Sequence, residues 1–111
     1  GMTGAVIPVP VAHGEGKVEV HKSHLDNLSS NKVTSIAYAD HKGNQTEEYP
    51  ANPNGSIDGI AGVTNESGNV TVMMPHPERA FLNDQYSWSP EDWSHYSPWI
   101  RFFLNAREFI K

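Results

Sequence analysis

Two short stretches of this chain set a glutamate two positions after a histidine: His13-Gly14-Glu15 and His76-Pro77-Glu78. The second is the more unusual, because Pro75 and Pro77 flank the histidine directly after the apolar run Val70 to Met74. Each pyrrolidine ring fixes φ and removes a backbone donor, which bars regular ladder pairing and presents His76 from a stiff strand end. A carboxylate on one imidazole nitrogen selects the tautomer that leaves the other free as a base. With a nucleophile added, that is the logic of nucleophile, base and orienter. The expected geometry puts a Glu78 oxygen about 2.6 to 3.2 Å from a His76 ring nitrogen. Spacing alone leaves a plainer reading open, in which His76 packs at a turn and Glu78 pairs with Arg79 or with solvent.

His13 and Glu15 repeat the spacing between glycines, which permits either a glycine-assisted bend with solvated polar groups or a metal site. In the second case His13, Glu15, His76 and Glu78 would gather two imidazoles and two carboxylates around a divalent ion. The zinc deaminases also use His-x-Glu, but they require a Pro-Cys-x-x-Cys partner, and cysteine is absent here. The same absence excludes disulfides, thiolate metal ligands and a thiol nucleophile from this chain. His21, His24, His41 and His95 lie in polar, turn-like or helix-start surroundings and receive no role. Tyr86, Trp88, Trp93, Tyr96 and Trp99, interleaved with prolines, read as aromatic glue holding a loop to a core rather than as a binding platform.

The elements that must position these groups belong to a chain of 111 residues, enough for one small domain or part of a larger one. With 37% apolar residues it is too hydrophobic for disorder, and its eight prolines and nine glycines promise many turns. Thirteen acids against eight bases give a charge of −5 and no basic stripe, which argues against nucleic acid as a partner. No apolar run approaches the roughly 20 residues that span a bilayer, and no signal-peptide order opens the chain. A cytoplasmic setting without a membrane partner is expected.

Residues 5–12 are β-branched and apolar but carry two prolines, which predicts an edge or irregular strand leading to a bend at residues 13–16. Residues 17–20 alternate as a short strand would. Ser23 is placed to cap a helix carrying Leu25 and Leu28, with Asp26 in its first turn. Residues 33–39 and 45–49 read as a hairpin about the turn Asp40-His41-Lys42-Gly43-Asn44. Pro50 to Ser56 is a loop whose Asn54-Gly55 step suits positive φ, followed by a strand over 59–64 and a turn over 65–69. The continuously apolar run 70–74 predicts a strand buried on both faces of a sheet. Ser89-Pro90 and Ser97-Pro98 each signal a helix start. From Pro98, Trp99, Phe102, Phe103, Ala106, Phe109 and Ile110 recur at spacings of three and four, as an amphipathic terminal helix requires.

Three motifs in order, Ala12-His13-Gly14-Glu15-Gly16, Ala51-Asn52-Pro53-Asn54-Gly55-Ser56 and Met73-Met74-Pro75-His76-Pro77-Glu78-Arg79, resemble the phosphoribosylformylglycinamidine synthase family. Ser87-Trp88-Ser89-Pro90-Glu91-Asp92-Trp93, Ser97-Pro98-Trp99 and Asn105-Ala106-Arg107 resemble the end of its large single-chain form. The resemblance spans essentially the whole chain. It implies an α/β fold, residues 1–111 being the C-terminal portion of a three-layer, flavodoxin-like class I glutamine amidotransferase domain. That family hydrolyses glutamine with a cysteine nucleophile, a histidine base and an orienting glutamate, the last two matching His76 and Glu78. Its ammonia passes to a synthetase domain of the same chain, where ATP and magnesium activate formylglycinamide ribonucleotide. The family's cysteine lies upstream of every motif present here, so the resemblance implies a fragment that is silent alone and holds no cofactor itself. Loss of covering elements would expose apolar surface around residues 70–74 and favour a homo-oligomer. The competing reading is a small non-catalytic or divalent-metal-binding module using His13/Glu15 and His76/Glu78.

Overall fold

The computed structural model describes residues 1–12, 14, 16–30 and 33–111, except for the side chains of residues 29 and 30. The bend expected at 13–16 therefore lies largely outside the described residues. Two compact units divide the chain, one formed by Gly1–Pro10 with His76–Lys111 and the other by Val11–Pro75. The α/β character expected from the sequence is present, as short strands, turns and a C-terminal helix. No helix among the described residues is long and apolar enough to cross a membrane.

In the Val11–Pro75 unit, helix α1 (Lys22–Ser30) precedes three strands, β1 (Thr34–Ala37), β2 (Ile60–Thr64) and β3 (Thr71–Met73). They form one sheet in the order β1-β2-β3 with both pairings antiparallel, Ala37 opposite Ile60 and Val63 opposite Val72. Strand β2 is central because it carries the apolar residues that the sheet buries, Ile60 at 3% exposure and Ala61 at 1%. Burying an isoleucine side chain contributes about 1.5–3 kcal/mol. Gly62 admits close neighbours on both sides, since a Cβ there would stand 3.1 Å from Met73 Cβ and 3.3 Å from Ser35 Oγ. Just before the strand, Gly59 has φ +63°, and a Cβ on it would meet the Thr46 carbonyl oxygen at 2.6 Å. Only glycine satisfies both demands.

Four expectations are corrected in this unit. Residues 70–74 are not buried on two faces: β3 is a three-residue edge strand with one neighbour, and Val70 and Val72 are 58% and 68% exposed. Residues 45–49 form the second arm of a hairpin only at their start, where the Asp40 N–H donates to the Asn44 carbonyl at 2.8 Å and the Thr46 N–H to the Tyr38 carbonyl at 3.0 Å. A single bridge joins Ala39 to Gln45; then the Thr46 hydroxyl accepts the Glu48 N–H at 3.0 Å and bends the chain away, leaving β1 to pair with β2. Residues 17–20 are irregular, with the Val18 N–H donating to Ser56 Oγ at 3.1 Å instead of to a strand. Ser23 lies inside α1 rather than capping it. His21 takes the capping place, its Nδ1 standing 3.4 Å from the Ser23 nitrogen and 2.8 Å from its hydroxyl.

The turns follow their side chains. Asp40 Oδ1 accepts the N–H groups of Lys42 and Asn44 at 2.8 and 2.9 Å, and Asn65 Oδ1 accepts those of Asn69 and Val70, both at 3.1 Å. Loop 51–56 is closed by polar burial. Asn52 at 1% exposure donates to the carbonyls of Ser56 and Thr46 at 2.9 and 3.2 Å and accepts the Ser56 N–H at 3.2 Å. The fully buried Ser56 hydroxyl donates to Asn54 Oδ1 at 2.8 Å. Each such bond contributes about 1 kcal/mol, and leaving a buried partner unpaired costs about 1–3 kcal/mol.

In the other unit, Gly1–Pro10 is irregular, as its prolines require. The segment after His76 makes one 3-10 turn at Pro77–Arg79 and another at Asn83–Gln85 before α2 (Ile100–Phe109). Residues 80–83 run beside 95–97: the Ser97 N–H donates to the Phe81 carbonyl at 2.9 Å, the Asn83 N–H to the His95 carbonyl at 3.0 Å, and a bridge links Leu82 to Tyr96. That pairing explains why the helix signalled at Ser89-Pro90 does not form. Only one turn survives there, closed by the Trp93 N–H on the Pro90 carbonyl at 3.1 Å, because the following residues are drawn into the bridge. The signal at Ser97-Pro98 does hold. The buried Ser97 hydroxyl donates to the Ala80 carbonyl and accepts the Trp99 N–H at 3.2 Å, and the Ile100 N–H takes the Ser97 carbonyl at 3.1 Å. Trp99 is buried and Phe103 packs edge-on against Phe81 at 5.9 Å, whereas Phe109 and Ile110 at the far end of the helix stay 66% and 71% exposed.

Candidate active site: the His76 and Glu78 pair

His76 sits between two prolines that are themselves buried. Both of its backbone polar groups are engaged: its N–H donates to the Pro10 carbonyl at 3.1 Å, and its own carbonyl accepts the Arg79 N–H at 3.0 Å. Pro77 at the first position of the 3-10 turn contributes a preset φ, and its carbonyl accepts the Ala80 N–H at 3.0 Å. A single tight turn brings residue 78 back over residue 76, and Glu78 Oε1 lies 2.7 Å from His76 Nδ1. The expected side-by-side geometry is thus present. The histidine side chain is 31% exposed and the glutamate 56%, so the pair is reachable from solvent.

The Glu78 carboxyl is held below the usual carboxylate range, first by its hydrogen bond to His76, then by a backbone N–H and by the positive charges of His76 and Arg79. Arg79 Nε stands 4.0 Å from Glu78 Oε1, a loose contact on an open surface that adds little. At neutral pH the carboxylate is ionised and can only accept, so the proton of the pair resides on Nδ1. The lone pair of a neutral imidazole then lies on Nε2, and that atom is available as a base. The sign of the pH effect follows. A depressed folded pKa gives stability that is present above the unfolded carboxyl value and is lost as pH falls through the folded one. Titration of Glu78 by carbon NMR is expected to show a midpoint below that of an ordinary glutamate, rising in His76→Ala; an unchanged midpoint in that variant would remove the hydrogen bond as its cause.

Over residues 1–110 the sequence matches the family described as the CobB/CobQ-like glutamine amidotransferase domain. The chain belongs to that family. Within this amidotransferase domain, the candidate pair is carried by a buried Pro-His-Pro segment and one 3-10 turn.

His13 and Glu15 of the amidotransferase domain lie outside the described residues. Among the described residues no three or more histidine, aspartate or glutamate side chains gather as a metal site requires. The remaining histidines have other company: His21 meets Ser23 and the edge of His24, and His95 stacks edge-on with Tyr96 at 4.7 Å. The aromatic residues act mainly as glue. Tyr86 packs edge-on against Trp93 at 5.3 Å and Trp99 is 6% exposed, although Trp88 projects at 77%. Sequence reasoning missed the polar ends of that glue. The Tyr86 hydroxyl and the Trp99 indole N–H both donate to the Pro8 carbonyl, each at 2.8 Å. No signal in the sequence could have found them, because every residue carries a carbonyl and its partner is set by the fold.

Proposed function

We propose that this amidotransferase domain supplies the general base, His76, and the residue that orients it, Glu78, for glutamine hydrolysis in a phosphoribosylformylglycinamidine synthase. The observation that carries the reading is the 2.7 Å contact between Glu78 Oε1 and His76 Nδ1, which leaves Nε2 free. Position matters alongside chemistry: the pair falls on the motif by which the sequence resembles that family, and the resemblance runs along the whole chain.

In the proposed reaction His76 Nε2 takes the proton of a cysteine thiol as sulfur attacks the side-chain amide carbon of glutamine. It returns that proton to the departing nitrogen, releasing ammonia and a thioester. Water, deprotonated by the same nitrogen, then cleaves the thioester to glutamate and restores the thiol. With no cysteine in the sequence, the thiol comes from outside these 111 residues. In the enzyme that the resemblance implies, ammonia passes to a synthetase domain, where ATP with magnesium activates the amide oxygen of formylglycinamide ribonucleotide and ammonia displaces it.

The purified chain is accordingly expected to release no glutamate from glutamine above the buffer blank, since removing the nucleophile of such a triad leaves at most a weak residual rate. Glutamate release by the chain alone, abolished by His76→Ala, would contradict the assigned division of labour.

A further inference from the structure

Behind the histidine lies a relay of backbone and aromatic contacts that glutamine hydrolysis does not itself use. The Pro8 carbonyl accepts both the Tyr86 hydroxyl and the Trp99 indole N–H, each at 2.8 Å. Two donors occupy both lone pairs of one oxygen and fix its position in two directions. Neither donor is loose: the Trp99 backbone N–H rests on the buried Ser97 hydroxyl at 3.2 Å, and the Tyr86 ring is braced edge-on by Trp93 at 5.3 Å. Two residues on, the Pro10 carbonyl accepts the His76 N–H at 3.1 Å. Pro8 and Pro10 both have ring-locked φ, so the short span between the two carbonyls is stiff and a shift of one is felt at the other.

We propose that Tyr86 and Trp99 are positioning residues for the His76–Glu78 pair, acting through the Pro8 carbonyl and the Pro8–Pro10 segment on which the His76 backbone hangs. Neither side chain touches the reacting groups. Their effect is to hold the His76 backbone where one 3-10 turn brings Glu78 onto Nδ1, and hence to hold the tautomer. The consequence for rate rests on the glutaminase reading given above, whereas the consequence for the tautomer does not.

The test uses Tyr86→Phe, which deletes one oxygen, and Trp99→Phe, which deletes the second donor, alone and together. In the purified chain labelled at histidine, long-range proton–nitrogen spectra report whether His76 carries its proton on Nδ1 or Nε2, while thermal unfolding reports stability. The ratio of Nδ1–H to Nε2–H tautomers is expected to fall at least about threefold in the double variant, about the size of losing one net hydrogen bond, with each single variant intermediate. In a protein joining this chain to the cysteine-bearing part of the domain, glutaminase kcat should fall about tenfold to a hundredfold, as misplacement of a base by up to about 1 Å does, with KM within about twofold. An unchanged tautomer in folded variants overturns the positioning role, even if stability drops. If Trp99→Phe does not fold, Tyr86→Phe alone decides by the same readout. The two readings fail separately: a tautomer shift without glutaminase loss in His76→Ala sinks the catalytic assignment and leaves the relay intact, while a dead His76→Ala with an unmoved tautomer does the reverse.

Discussion

In a protein uniting this chain with a cysteine nucleophile, His76→Ala is expected to lower glutaminase kcat by about 10⁴ to 10⁶, the range seen when the base of a nucleophile–base–orienter set is removed. The size follows from what Nε2 does twice: it takes the thiol proton and it delivers a proton to the leaving nitrogen. Without it, the nitrogen must leave as the strongly basic amide anion or wait for a proton from water. The substitution should leave folding close to wild type. His76 is anchored by its backbone N–H and carbonyl, which alanine retains, and its side chain is a third exposed, with Glu78 as its partner among the described residues. Steady-state glutamate release measured beside thermal unfolding separates the two effects; a loss of activity matched by a loss of structure would point to packing instead.

Glu78→Gln is expected to cost almost as much, about 10⁴ in kcat, while changing the shape of the side chain hardly at all. The carboxylate accepts from Nδ1 at 2.7 Å and leaves Nε2 unprotonated. An amide can instead present its NH₂ to Nδ1, which reverses the tautomer and puts the proton on the atom that must act as base. Because the Glu78 carboxyl is held below the usual carboxylate range, its charge offers no explanation for an activity change between pH 6 and 9. Glu78→Asp, charged but shorter, should recover part of the rate. Equal activity in Glu78→Gln and wild type would show that the 2.7 Å contact does not select the tautomer.

The parts of this molecule that were legible in the sequence are those whose geometry is set within a few residues. His76 and Glu78 are two residues apart, and Pro77 with one tight turn brings the glutamate back over the histidine. The Asp40 and Asn65 turns form because each side chain caps backbone groups two to five residues on. The terminal helix likewise follows directly on Ser97 and Pro98, beginning at Ile100, whose N–H donates to the Ser97 carbonyl. Legibility ends where two segments compete for the same partner. Residues 38–40 do pair with 44–46 across the turn, but β1 pairs with β2, whose Ile60 and Ala61 are buried. The helix signal at Ser89-Pro90 loses in the same manner to the bridge between Leu82 and Tyr96. An apolar run such as 70–74 says that burial is favourable, not that a neighbour covers it, and β3 meets β2 along one edge only. The contacts behind the candidate site were hidden for a further reason. Pro8 accepts from Trp99 across 91 residues, and a carbonyl's partner leaves no trace in the identity of the residue that bears it.

The central claim is that His76 acts on glutamine and not on the use of ammonia, and one comparison tests it most directly. In the intact synthase implied by the resemblance, His76→Ala is assayed for product formation with glutamine and, in the same preparation, with ammonium supplied directly. The account predicts that the glutamine-dependent rate collapses by about four orders of magnitude or more, while the ammonia-dependent rate stays within about twofold of wild type, a difference of under 0.5 kcal/mol in barrier. Retention of the glutamine-dependent rate, or loss of both rates together in a folded protein, would contradict it.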